Sequence, residues 1–202
     1  PSKALIRSAK ILSYIKRHRE FGIKSAAAEF DFPEAMERVQ AIIKKIEPHD
    51  SVKRYTDLGV DCFSGDAKVL SPHEVELNGN ILTTKNIIIA TGARPTIPSI
   101  NGLEKTNFLT SDNLWNIQEL PKKLLIIGGG PIGSEFAQCF ARLGSDVTQV
   151  EMSPHILTRE DDEISLALRQ QFGREGIDIH TDTTCKTIVT ENGKQVMVSE
   201  KR

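Results

Sequence analysis

Six consecutive residues, Gly128-Gly129-Gly130-Pro131-Ile132-Gly133, have the types and spacing to hold a diphosphate. They follow an apolar run, Leu124-Leu125-Ile126-Ile127, and open a helical pattern in which Phe136, Ala137, Phe140, Ala141 and Leu143 share one side up to Gly144. A glycine at 128 permits a tight turn out of a strand. One at 130 leaves the main chain bare to a pyrophosphate, and one at 133 lets the helix pack closely on the sheet. The helix start, with Pro131 and Ile132 in its first turn, offers free N–H groups and a positive dipole end to the anion. A second strand, Asp146 to Val150, ends in Glu151, 23 positions after Gly128. That is close to the ~20 expected of a carboxylate that holds a ribose 2′-hydroxyl. The combination predicts dinucleotide binding, with NAD preferred over NADP. A 2′-phosphate would meet the Glu151 charge, and Met152, Ser153, Pro154 and His155 follow it, with Arg159 the nearest arginine.

The elements that must position these residues can be read along the chain. Residues 3 to 20 show helical spacing of Leu5, Ala9, Leu12 and Ile15, broken by Gly22, with a solvated basic face. A second helix is expected from Asp31, with Glu34 completing a capping box, Pro33 in the first turn, an apolar stripe of Met36, Val39, Ile42, Ile43 and Ile46, and Pro48 ending it. From Val60 to Ile89 short strands follow, Lys68 to Leu70 and Glu74 to Leu77, with a hairpin tip at Asn78-Gly79. Ile87-Ile88-Ile89 reads as a further buried strand leading into the small-residue turn Ala90-Thr91-Gly92, a place where open α/β sheets hold ligands. Residues 95 to 121 read as a linker with one packed turn at Leu114 and Trp115. After Glu151 a helix is expected over Asp161 to Glu175, a third parallel strand over Ile177 to Thr181, and a hairpin joined at Asn192-Gly193.

Composition excludes several classes. The 202 residues carry 26 Lys and Arg against 27 Asp and Glu, a formal charge of −1, so nothing favours a nucleic-acid or anionic-membrane partner. No apolar run approaches the ~20 residues that span a bilayer, and no signal-peptide pattern opens the chain. The cysteines, Cys62, Cys139 and Cys185, form no CxxC or CxxxxC pair, which fits a reducing compartment such as the cytoplasm. The five histidines show no metal-ligand spacing, so no metal site is expected. A start without methionine and an end that falls within a strand pattern point to a piece of a longer protein.

Three features in order, Pro1-Ser2-Lys3, then Thr84 through Ala90-Thr91-Gly92, then the Gly128 fingerprint ending in Glu151, resemble the pyridine nucleotide–disulfide oxidoreductases. The likeness covers essentially the whole chain and is greatest to the dihydrolipoamide dehydrogenase and mercuric reductase branch. It implies a Rossmann-like α/β fold that binds FAD and NAD(P), three-layered, with a parallel sheet and antiparallel meander insertions. It implies that residues 1–110 are the C-terminal part of an FAD-binding domain and 111–202 an NAD-binding domain, each incomplete. In that family the Pro-Ser-Lys start follows a redox CxxxxC, and a dimerisation domain lies downstream.

The resemblance also implies roles. Lys3 is similar to the lysine beside flavin N5, and Glu135 to the glutamate that pairs with it. Ala67 lies in the turn that resembles the segment meeting the FAD adenine, Ala90, Thr91 and Gly92 in the segment near the ribityl-pyrophosphate, and Cys185 near the NAD adenine, where its thiol is incidental and its expected role is packing. With FAD and NAD as cofactors, NADP being the lesser option, the implied activity passes hydride from NAD(P)H at residues 128–135 to FAD and on to a disulfide. The partner is then a small-molecule or disulfide substrate and the parent a homodimer. Two other readings remain open here: an NADH oxidase or ferredoxin-reductase type of flavoprotein, and a non-catalytic NAD-binding module.

Overall fold

The computed structural model describes residues 1–201. The chain divides into two compact units, one made of Pro1–Ile42 and the chain from Thr96 onward, the other of Ile43–Pro95.

The first unit is built on a parallel sheet in the order β4 (Lys123–Ile127), β5 (Asp146–Val150), β6 (Asp178–His180). Ile126 lies opposite Gln149, and Ile127 opposite Val150. β4 and β5 are joined by α4 (Pro131–Leu143), which ends at Gly144 in the left-handed conformation that favours glycine. α1 (Ser2–Lys16) packs on α4, and α2 (Phe32–Ile46) adds Met36 and Val39 to the same core. Phe32, Phe136 and Phe140 form a chain of ring contacts at 6.4 Å centroid spacing, and Trp115 meets Phe136 at 5.9 Å. Burial of Leu5, Ala9, Ala137, Phe140, Val147 and Val150 removes the apolar stripes read in the sequence from water. Asp31 caps α2, its Oδ1 accepting from the Glu34 N–H at 2.8 Å.

α5 (Asp162–Arg174) follows β5 and leads into β6. Its end is tied to α4: Arg142 donates from Nε and Nη2 to the two oxygens of Glu175 at 2.7 Å each, and Gln138 and Gln171 add bonds to Oε1. Burial alone would raise the Glu175 carboxyl, but the bonds from Arg142, Gln171 and Gln138 outweigh it and hold it below its usual range. A long antiparallel hairpin, β7 (Thr183–Glu191) and β8 (Lys194–Lys201), turns at Asn192 and Gly193, both at positive φ.

The second unit contains α3 (Val52–Asp57) and an antiparallel meander, β1 (Ala67–Ser71), β2 (Glu74–Leu77) and β3 (Asn80–Thr83), with the tip at Asn78-Gly79. The meander and its tip stand as expected.

Two expectations are corrected, and one helix was not foreseen. Ile87–Ile89 forms no strand, and Ile88 is 90% exposed; a strand needs a neighbour for its ladder, and among the described residues none pairs with this run. β4 is half-covered rather than buried, with Leu125 and Ile127 exposed, because it is an edge strand whose one face meets α4. α3 was not expected, since its six residues carry no apolar period.

Candidate functional site

The glycine turn sits where β4 ends and α4 begins. The ladder runs one residue past β4, the Gly128 N–H donating to Val150 O at 2.8 Å. Gly128 then turns at φ +112°, a conformation that side chains other than glycine rarely adopt. Gly133 makes a close approach: a Cβ there would lie 2.3 Å from the Gly128 carbonyl oxygen and 3.3 Å from Gln149 Nε2. Gly130 is the N-cap of α4, exposed, with no atom within 4 Å of where a Cβ would stand. No side chain caps this helix start. Pro131 has no N–H, and the N–H groups of Ile132 and Gly133 precede the first intrahelical bond, from Ser134 N–H to Gly130 O. The result is an open cradle with unsatisfied donors at the positive end of a helix dipole.

Glu151 stands at the carboxyl end of β5, its backbone held by the His180 carbonyl and the Thr183 N–H. Its carboxylate reaches the turn. Oε2 accepts from the Gly129 N–H at 2.6 Å, and Oε1 accepts from the Ser153 N–H at 2.8 Å. Each oxygen retains a lone pair, so the carboxylate can still accept from hydroxyls. Gly129 is buried; a Cβ there would stand 2.9 Å from Ile156 Cγ2, and its carbonyl accepts from the Leu157 N–H at 2.8 Å. Of the three leading glycines, Gly129 is thus committed internally, and Gly130 is the one open to a ligand.

Beneath the turn lies a polar group that sequence reasoning missed. Gln149 is fully buried; its Nε2 donates to Gly128 O at 3.0 Å and to Ser134 Oγ at 3.4 Å, and Ser134 Oγ donates to Gly129 O at 3.3 Å. Gln149 Oε1 meets no protein donor among the described residues. Its one trace in the sequence is a lone glutamine between Thr148 and Val150, which by itself does not name the face it occupies.

The remaining expected residues are placed as follows. Lys3 lies in the first turn of α1 and Glu135 in α4, both exposed, on helices that pack together. Among the described residues no ion pair joins them. Ala67 begins β1, and Ala90, Thr91 and Gly92 lie in an exposed irregular segment, all in the second unit. Cys185 lies on β7, opposite Ser199, beside a register shift in the hairpin. Burial raises its thiol pKa and pushes that of Cys139 to about 12, despite Arg142 nearby, so both stay protonated. Among the described residues no helix is long and apolar enough to cross a membrane.

The pyridine nucleotide-disulphide oxidoreductase family model matches residues 1–202. The chain is 36% identical over 193 residues to a dihydrolipoyl dehydrogenase of Acholeplasma laidlawii, covering 93% of this chain and 57% of that protein. It is 33% identical over 188 residues to a mercuric reductase of Bacillus cereus, covering 93% and 30%. Among solved structures, the HOCl-induced flavoprotein disulfide reductase RclA from Escherichia coli superposes with a TM-score of 0.77 at 28% identity, over 99% of this chain and 42% of that one. The chain therefore spans between about a third and somewhat over half the length of these relatives.

Proposed function

Because the chain belongs to the pyridine nucleotide-disulphide oxidoreductases, we propose that it is the coenzyme-handling part of a flavin-dependent enzyme that takes reducing equivalents from NADH. The observation that carries this is the open main chain at Gly130, beside a carboxylate at the end of the next strand. Residues 128–133 hold the diphosphate by N–H donation from the start of α4, and Glu151 takes the adenosine ribose hydroxyls. When bound, the nicotinamide supplies a hydride and the flavin relays two electrons to a disulfide.

Residues 111–202 serve as the NAD domain, with Cys185 close to the adenine end through its place two residues from Thr183. Residues 1–110 serve as the tail of the FAD domain, with Ala67, Ala90, Thr91 and Gly92 against the flavin nucleotide. Lys3 and Glu135 act as an ion pair beside the flavin ring. Their helices, α1 and α4, pack together, and a lysine held there stabilises negative charge on reduced flavin. The terminal acceptor is a disulfide or a small molecule, in the manner of the dihydrolipoyl dehydrogenase and mercuric reductase relatives. The parent is a homodimer of the cytoplasm, and the formal charge of −1 on these residues favours no nucleic-acid partner.

Titration calorimetry of the full-length protein with NADH and NADPH tests the reading. NADH is expected to bind more tightly. Glu151→Arg should lower the NADH preference by at least about tenfold. A preference ratio unmoved by that substitution would remove Glu151 from the ribose site.

A further inference from the structure

We infer that Gln149, which lies outside the glycine fingerprint, is a positioning residue for the diphosphate-binding turn; this rests on the coenzyme reading above. β5 is the central strand of its sheet, and a fully buried position in it calls for an apolar side chain. Gln149 is fully buried and keeps one amide oxygen without a donor. A leucine or methionine would fill the same space but leave the Gly128 carbonyl oxygen without its donor, so packing alone does not account for the glutamine. Its donor end does. The orientation of the amide is fixed by its partners, since a reversed one would set oxygen against the Gly128 oxygen.

The peptide between Gly128 and Gly129 is held at both ends by side chains two residues apart, Gln149 on β5 and Glu151 just past its end. Gln149 Nε2 donates to its carbonyl at 3.0 Å, and Glu151 Oε2 accepts from its N–H at 2.6 Å. One amide from β5 and one carboxylate from the residue that follows it thus grip this single peptide plane. The second contact of Gln149, to Ser134 Oγ, joins the plane to the first turn of α4. The next unit, Gly130, is the open one. The peptide that carries its N–H is held through the Gly129 carbonyl by the Leu157 N–H and by Ser134 Oγ, and Gln149 reaches it through Ser134, so the ligand meets a turn that need not reorganise.

A preorganising role predicts a loss confined to coenzyme affinity. In the full-length protein, Gln149→Met should raise the calorimetric Kd for NADH about tenfold. Flavin reduction at saturating NADH should keep its rate, and Tm should change little, because the stranded Oε1 goes while the Gly128 carbonyl loses its donor. Gln149→Leu carries the same expectation should methionine not fit. Ser134→Ala, which leaves the bond to Gly128 O, should raise Kd less. An unchanged NADH Kd in both Gln149 variants overturns the inference. So does a weaker Kd that comes only with a lower Tm, which marks a plain structural role. Wild-type protein that takes up neither coenzyme overturns the coenzyme reading and this inference with it, whereas wild-type uptake with unaffected variants overturns this inference alone.

Discussion

Gly130 and Gly133 are three residues apart, and the same added methyl group has opposite meanings at the two. At 133 a Cβ would stand 2.3 Å from the Gly128 carbonyl oxygen, a main-chain atom that cannot swing away. Gly133→Ala should therefore lower stability by about 1–3 kcal/mol, read from denaturant unfolding, as overpacking does. At 130 the backbone has φ −70° and ψ 177°, open to any residue, and nothing lies within 4 Å. Gly130→Ala should leave the unfolding midpoint in place and weaken NADH binding by about tenfold, because the methyl would stand over the open main chain proposed to meet the diphosphate. The roles of Gly128 and Gly133 were legible in the sequence, since turn and close approach follow from spacing. Gln149 was not, because a single polar letter in a strand pattern does not say which face it occupies or what lies below it.

At the scale of elements, the tie between α4 and the end of α5 rests on Arg142 and Glu175, both largely withdrawn from solvent. Removing one partner strands the other, so Arg142→Ala should destabilise by about 3 kcal/mol. The pH dependence follows from the lowered Glu175 pKa. A folded-state pKa below the unfolded value contributes stability that is present above the unfolded pKa and lost as pH falls through the folded one. Wild-type protein should thus lose more stability than Glu175→Gln between neutral pH and the acid range below the ordinary carboxylate value of 4.5; equal losses in both would show the pair to be solvated. The β4–α4–β5 unit was legible from its apolar run, glycine turn and helical period, and the two hairpin tips from their Asn-Gly dipeptides. Ile87–Ile89 shows the limit of that reading: an apolar run states a demand for cover, and the strand that would answer it is not named by the run itself.

For the molecule as a whole, the ordering of motifs said more than any one of them. The Pro-Ser-Lys start, the Ala90-Thr91-Gly92 turn and the Gly128 fingerprint pointed to one family, and the family model spans residues 1–202. Roles that depend on bound flavin were not readable from the residues, because Lys3 and Glu135 are exposed charges like many others. In the full-length protein, Lys3→Ala should shift the visible flavin spectrum and slow flavin reduction by NADH at least about tenfold. A normal spectrum with a normal rate would place Lys3 away from the ring.

The two hairpin tips share the dipeptide Asn-Gly but differ in restraint. Asn78 donates from Nδ2 to the Ser64 carbonyl at 2.9 Å, while among the described residues no side-chain bond holds Asn192. The amide nitrogen of a following glycine attacks an unrestrained asparagine easily, closing a succinimide that opens to aspartate or isoaspartate. Stored protein should therefore deamidate at Asn192 ahead of Asn78, and peptide mapping after incubation would find the acidic form accumulating at the β7–β8 tip first.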